Sequence, residues 1–481
     1  MHRTAAFVFA IFLAVATTPA TAQESLRLPD LGDAASGALS VPEEKRLGEQ
    51  LIRQVRLRVP MVDDPELRHY VQDLGERLAS RAGTPDMTYN FFVVDSPAIN
   101  AFAMPGGYIG INRGLIERTR SESELAAVMA HEIAHVSQRH IARRLDDSRG
   151  GGLQTLGIIL AAILMGTQDS SLGSAAAIGG IAGSIQEQLN YSRNHEREAD
   201  NIGIRILADA GLDPEGMPRF FERLAEATQY QQQPPEYLST HPVTESRIAE
   251  SRERASRYRD SAPDESATYG LIRARMLVQR SNEPKDAIRH FRAAVDGASE
   301  EQSAFAARFG LALAKMADEQ LEAAREDLEA LLGEDGERVS YYIALAEVQR
   351  EAGEPQAGLE TLQLGLDLYP GNYPLTLHTA RALLRLDRPM DARHLVRRHT
   401  QRHGGDAELY RLHAEAATSA GLRYEGLLAL SEHHYQRGNL HLAMDQLDRV
   451  ANASNAEIHE RSRAVSRRQD IQRELERERY Y

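Results

Sequence analysis

Apolar residues return every three to four positions through most of this chain, the spacing of an α-helix with one face turned to a core. Early helices are predicted over 43–59 and 65–82. The run MTYNFFVVD at 87–95 reads as a strand, and NAFAMPGGYIGI at 100–111 alternates after Gly106-Gly107 as a second strand. Residues 121–145, SESELAAVMAHEIAHVSQRHIARRL, resume helical spacing and open with Ser121 and Glu124 in capping-box positions. Another helical segment is SRNHEREADNIGIRIL. Between these two helices lie GIILAAILMG at 157–166 and SAAAIGGIAGSI at 174–185, separated by TQDSSLG. Each is shorter than the roughly 20 apolar residues that a membrane-spanning helix needs, so a helical hairpin is expected. A hairpin buried against the core is the simplest role for it.

From about residue 266 a longer period takes over. Ala312, Ala346, Ala380 and Ala414 recur every thirty-four residues, and so do Ala324, Gly358, Ala392 and Gly426. Small residues at two phases mark where paired helices approach, and Leu328 and Leu362, four after the second phase, fill the seam. Gly353, Asp387 and Gly421 break the helices in step. This is a tetratricopeptide array of four repeats, with an irregular unit at Ala287 and Phe291 before it and a closing one at Ala443 and Leu447 after it. Such an array offers a concave binding surface without naming its ligand.

Charge and targeting narrow the setting. Arg3, the apolar stretch Ala5–Ala16 and Ala20-Thr21-Ala22 read as a secretory signal ending at residue 22. Its removal takes away one basic residue and leaves 55 Lys and Arg against 70 Asp and Glu, or −15. That balance argues against nucleic acid as a partner and against simple adhesion to anionic lipid. The chain has no cysteine, which excludes disulfides, a thiol nucleophile and a lipidated cysteine after the signal.

The candidate chemistry lies in His131-Glu132-Ile133-Ala134-His135. Imidazoles four residues apart project from one helix face and can grip one metal ion, and Glu132 between them can take a proton from water there. Zinc fits this donor type, with a third protein ligand and one open position. Glu196 and Asp200 share a face of the later helix. Glu196 is expected as the third ligand, with Asp200 behind the site accepting a hydrogen bond from a ligand histidine. Glu198 is the competitor for the ligand role, on a different face from Asp200. His140 is expected to point away from the metal face, as a packing residue or one that supports a ligand from behind, and His195 to face about a hundred degrees from Glu196. The histidines of the repeat region, from His378 to His441, lack a ligand pattern.

HEIAH, the later S-R-x-x-E-x-E-A-D and the preceding NAFAMPGGYIGI together resemble the zinc metallopeptidase family of HtpX and the CaaX-prenyl proteases, and the soluble periplasmic branch with a repeat domain fits best. The resemblance implies a mostly α chain: an α+β zinc metallopeptidase domain with a small sheet, followed by an α-solenoid of tetratricopeptide repeats. The expected divisions are a signal at 1–22, a linker at 23–42, the peptidase at 43–260, repeats at 266–456 and a charged tail at 457–481, read as an exposed helix or frayed end. Because each repeat touches only its neighbours, a fragment ending near 260 is expected to fold and keep its metal.

The resemblance further implies one Zn2+ per chain, held by His131, His135 and Glu196, with Glu132 as base and Asp200 in support. An edge strand built from Asn100, Ala101, Phe102, Gly106 and Gly107 would hold an extended peptide. It points to a periplasmic endopeptidase, with chaperone activity, in quality control of outer-membrane β-barrel proteins. Unfolded or misassembled barrels would be substrates, and the β-barrel assembly machinery a partner through the repeats. Residues 153–185 would then be a membrane-touching remnant or a lid over the cleft. The alternative is a chaperone or adaptor in which the repeats recruit clients and proteolysis is minor or latent.

Thr240-His241-Pro242 precedes a helix opened by Thr244 and carrying Arg247, a T-H-P-x-x-x-x-R segment that the family has near its active site. Pro242 favours an extended or turn conformation at His241 and so a loop imidazole able to approach or leave the metal. His241 is then either a latch on zinc's open position or, with Arg247, a donor to the developing oxyanion. The latch is favoured, since a fully coordinated zinc is inert.

Overall fold

The computed structural model describes residues 39–147, 193–230, 235–261, 266–298, 300–336 and 338–479. The signal region and the apolar runs at 157–166 and 174–185 lie outside the described residues. No helix among the described residues is long and apolar enough to cross a membrane.

The first half surrounds a three-stranded sheet. Helices α1 (Val41–Arg58) and α2 (Pro65–Ala79) precede β1 (Asn90–Val94), β2 (Ala101–Met104) and β3 (Tyr108–Asn112). Ser40 opens α1, its amide donating to Glu43 at 2.8 Å, and Asp64 caps α2 by accepting from the Leu67 amide at 2.9 Å. The strand order is β1-β3-β2, with β1 parallel and β2 antiparallel to β3. The strand after the glycines is therefore central. The edges are β1, which carries an isolated bridge between Met61 and Val94, and β2, before the glycines. Gly106 and Gly107 have φ of 75° and 85°, and a Cβ on Gly107 would stand 2.2 Å from the Thr88 carbonyl oxygen. The hairpin backbone alone demands glycine at both positions.

Short helix α3 (Arg113–Arg118) leads to α4 (Glu122–Ser137), whose side chains are buried from Ser123 to Val136. It is apolar almost all round because it runs through the middle of the core, enclosed by neighbours instead of lying on a surface. Next come α5 (His140–Asp147), α6 (Arg193–Asp209), α7 (Gly216–Tyr230), α8 (Glu236–Thr240) and α9 (Glu245–Ala255). Gly203 lets α6 press onto α4, since a Cβ there would lie 3.3 Å from the His131 amide nitrogen.

Among the described residues twelve further helices follow in six successive twos: α10 (Ala267–Arg280) and α11 (Pro284–Asp296), α12 (Glu301–Ala317) and α13 (Leu321–Glu334), α14 (Val339–Glu351) and α15 (Pro355–Leu368), α16 (Tyr373–Arg385) and α17 (Pro389–His403), α18 (Ala407–Ser419) and α19 (Arg423–Gln436), and α20 (Leu440–Ala451) and α21 (Ile458–Arg479). The middle four carry the thirty-four-residue period. The small residues at the second phase have a direct cause: a Cβ on Gly358 would lie 2.9 Å from the Ala346 carbonyl oxygen, and one on Gly426 would lie 3.1 Å from that of Ala414. Gly353, Asp387 and Gly421 all take positive φ, and Glu319 extends that series one repeat earlier.

Two expectations change here. Tyr269, Ile272 and Met276 of α10 are buried in the core built around α4, so the packing of the peptidase half runs past residue 260. The Tyr269 hydroxyl donates to the Thr119 carbonyl at 2.8 Å. The charged end at 457–481 is not a frayed tail. Ala464 and Ile471 of α21 are buried against α19 and α20, and Glu474 pairs with Arg53 of α1 at 2.7 Å. Sparse apolar residues on a highly charged helix hid that contact. The array thus folds back on the peptidase half, and Arg68 of α2 pairs with Asp406 at 2.7 Å.

Candidate metal centre

Helix α4 supplies His131 and His135 one turn apart, and their Nε2 atoms stand 3.0 Å from each other. Two ring nitrogens facing each other this closely suit lone pairs aimed at a common point. From α6, Glu196 Oε2 lies 3.5 Å from His131 Nε2 and Oε1 lies 3.4 Å from His135 Nε2. His241, between α8 and α9, completes the group, with Nδ1 at 3.0 Å from Glu196 Oε1 and 3.3 Å from His131 Nε2. One ligand atom from each of these four buried residues lies within 4.8 Å of the others, a set able to hold a metal ion.

Asp200, one turn after Glu196, has Oδ1 3.0 Å from His131 Nδ1. Arg247 of α9 donates to both Asp200 oxygens, to Pro242 O at 2.7 Å, and pairs with Glu196 Oε2 at 2.9 Å. Thr244 caps α9, accepting from the Arg247 amide at 3.3 Å, and so sets the register that aims this side chain inward. Arg247 is engaged by two carboxylates and a carbonyl, an arrangement that supports Asp200 and Glu196. Three buried carboxyl groups, Glu132, Glu196 and Asp200, share the site, and the one guanidinium, Arg247, pairs with Glu196 and Asp200. When all are ionised this leaves an excess of two negative charges, which suits a divalent cation.

Glu132 is fully buried, and neither of its oxygens has a hydrogen-bond partner among the described residues. Burial pushes its carboxyl above the usual carboxylate range, while the His241 and His131 imidazoles and the Ala103 amide act in the opposite sense at longer reach. His241 Nε2 is 3.5 Å away. Burial also disfavours the charged forms of Glu196 and Asp200, yet His241 and the histidine hydrogen bonds hold Glu196 well below its ordinary value, and Arg247 and His131 hold Asp200 down.

His241 belongs to the cluster and is buried instead of lying in an open loop. Its amide donates to Tyr237 O at 2.8 Å, and its ring stacks on that of Tyr237 at 4.8 Å. Helix α8 is tied in turn to the start of β2: the Tyr237 amide donates to Ile99 O at 3.1 Å, and Asn100 Nδ2 donates to Glu236 at 3.0 Å. Asn100 thus anchors the His241 segment, and Ala101 and Phe102 follow it on the edge strand. Sequence reasoning missed Tyr237, and no motif announces it. Its hydroxyl is buried in the cluster with no hydrogen-bond partner among the described residues. Glu198 is outside the ligand group. His140, expected to face away, touches the back of His135 through Nδ1 atoms 2.8 Å apart.

A helix-borne pair of histidines, a carboxylate from a second helix and a buried acid between the histidines define a metallopeptidase. The family model for peptidase family M48 matches residues 65–255, and the chain belongs to this family. It is a metallopeptidase that also carries a helical repeat array. Among its relatives, the beta-barrel assembly-enhancing protease of Escherichia coli (strain K12) is 33% identical over 433 residues, 89% of this chain and 88% of that one. The putative beta-barrel assembly-enhancing protease of Vibrio cholerae serotype O1 is 34% identical over 421 residues, 87% of each. The mitochondrial metalloendopeptidase OMA1 of Schizosaccharomyces pombe is 28% identical over 215 residues, 44% of this chain and 60% of that one.

Proposed function

We propose that this protein is a periplasmic zinc endopeptidase acting in the assembly and quality control of outer-membrane β-barrel proteins. The observation that carries the chemistry is the convergence of His131, His135, Glu196 and His241 ligand atoms within 4.8 Å beside the buried Glu132. The near full-length likeness to relatives named for β-barrel assembly supports the setting, and the apolar segment before Ala20-Thr21-Ala22 supports export.

His131, His135 and Glu196 would hold the zinc. Once bound it supplies Lewis acidity, polarising the scissile carbonyl and acidifying water. Glu132 takes a proton from the attacking water and returns it to the leaving amine. Its raised proton affinity suits both halves of that transfer. Asp200 keeps the His131 proton on Nδ1, leaving Nε2 free to bind, and Arg247 fixes Asp200. The open edge of β2 would receive an extended peptide as an added strand, from Ala101 and Phe102 onward. His241 supports a latch, because it already stands among the ligand atoms. The repeat array would recruit misassembled barrels or the assembly machinery.

Glu132→Gln is the direct test. It should keep zinc and lose cleavage of an unfolded barrel protein, and it should hold clients long enough to be identified. Full cleavage by that variant would overturn the mechanism. Loss of cleavage with retained assistance to barrel folding would move weight to the adaptor role of the repeats.

A further inference from the structure

His140 reaches His135 through a break in the helix. Five residues along an unbroken helix are about 140° apart around the axis, which would carry His140 away from His135. Helix α4 instead stops at Ser137, Arg139 takes a left-handed φ of 52°, and α5 restarts at His140. The imidazole turns back behind the end of α4. It is completely buried, its Nδ1 is 2.8 Å from His135 Nδ1, and its Nε2 is 3.2 Å from Glu198 Oε2. His195 stacks on the ring at 4.4 Å with the planes 16° apart.

Two ring nitrogens at hydrogen-bond distance share one proton, and its owner follows from the other end of His135. His135 can present a lone pair to a metal at Nε2 only when its proton sits on Nδ1. That proton must then be donated to His140 Nδ1, which accepts. A neutral His140 acting as acceptor at Nδ1 carries its own proton on Nε2, where Glu198 accepts it. The four atoms allow one consistent order: His135 Nδ1–H to His140, then His140 Nε2–H to Glu198.

We propose that His140, oriented by Glu198, is the positioning residue for His135, fixing its tautomer and ring plane for metal binding. The proposal rests on His135 being a ligand. It gives the two histidines of α4 unlike supports. His131 leans directly on Asp200, which is buried and clamped by Arg247. His135 leans on an imidazole whose carboxylate partner is 37% exposed and shared with Arg143 at 3.3 Å. Glu198, weighed from sequence as a rival ligand, acts in this arrangement from behind the site.

The test compares His140→Ala with His140→Asn in the full chain, reading zinc affinity by competition with a chelator. The Asn side-chain oxygen lies about where Nδ1 was and can accept from His135. His140→Ala should weaken zinc binding by about ten- to a hundredfold, while His140→Asn should stay within about threefold of the wild type. Equal affinity in Ala variant and wild type overturns the proposal, and so does equal weakening in both variants, since a merely space-filling role would not separate them. If His140→Ala does not fold, nitrogen NMR of the zinc-loaded wild type decides: His140 must carry its proton on Nε2, and a proton on Nδ1 overturns the proposal. Glu196→Ala serves as the control for the site itself. A wild type that loses zinc as easily as Glu196→Ala refutes the metal site and the proposal with it, whereas a tight site indifferent to His140 refutes the proposal alone.

Discussion

Arg247 grips Asp200 with one edge of its guanidinium, Nε on one carboxylate oxygen at 2.7 Å and Nη2 on the other at 2.8 Å. A planar fork matches a carboxylate in this way and an ammonium does not. Arg247→Lys should therefore keep the charge yet loosen Asp200 from His131, lowering zinc affinity by about tenfold or more. Arg247→Ala leaves buried carboxylates uncompensated and should cost about 3–5 kcal/mol in urea unfolding. Wild-type zinc affinity in Arg247→Lys would show that the fork is not what matters.

His241 offers an opposite signature. Its position among the ligand atoms favours restraint, so His241→Ala should raise cleavage of an unfolded substrate and promote self-cleavage, read by the loss of intact chain on gels over time. A fall of about a hundredfold would instead mark a donor to the oxyanion. An unchanged rate would dispose of both roles.

Glu66 governs a pH dependence far from the metal. Arg275 of α10 meets Asp64, Glu66 and Glu347 within 3.2 Å. One guanidinium shared by three carboxylates stays charged, but Glu66 is the most buried of them and also feels the other two. Burial pushes its carboxyl up to about 7, with Arg275 opposing and Asp64 adding to the rise. The folded form thus keeps a proton that the unfolded chain releases near its ordinary value of 4.5. The resulting stability is fully present below pH 4.5 and is lost as pH rises through 7, a contribution of at most about 3 kcal/mol. Urea midpoints from pH 4.5 to 8 should fall with a steeper slope in wild type than in Glu66→Gln. Parallel slopes would remove Glu66 from the account.

The reach of α10 into the peptidase core bears on dissection. A fragment ending at residue 260 loses Tyr269, Ile272 and Met276 from that core, and one buried aromatic alone is worth about 3–5 kcal/mol against a total of about 5–15. It should melt broadly and hold little zinc, whereas a fragment extended through α11 should recover a cooperative melt by circular dichroism. Cooperative folding of the shorter fragment would mean that these side chains only decorate the core.

What the sequence made legible was whatever repeats or obeys a local rule. The thirty-four-residue period gave the paired helices, and the spacing of His131, His135, Glu196 and Asp200 put four side chains on two helix faces that do meet. What it hid depends on distant pairing or on a break in the rule. Nothing local tells that β1 inserts beside β3 and leaves β2 at the edge, because the order of strands is set by contacts far apart in the chain. His140 lies behind His135 and outside the ligand group, as its reading as a packing or supporting residue had it, but the contact itself depends on the break at Arg139, where helical geometry stops applying. The burial of α21 escaped notice because Ala464 and Ile471 are two residues in a long charged stretch.

The pairing of Arg53 with Glu474, reinforced by Arg56 donating to Gln436 O at 2.7 Å, joins the first helix of the described residues to α19 and α21, far along the chain. While the chain is being synthesised, the Glu474 carboxylate reaches Arg53 only once about 474 residues have been made. The clasp between α1 and α21 therefore forms only after the repeat array between them has been made. A copy interrupted or clipped before Glu474 is left with α1 without this clasp.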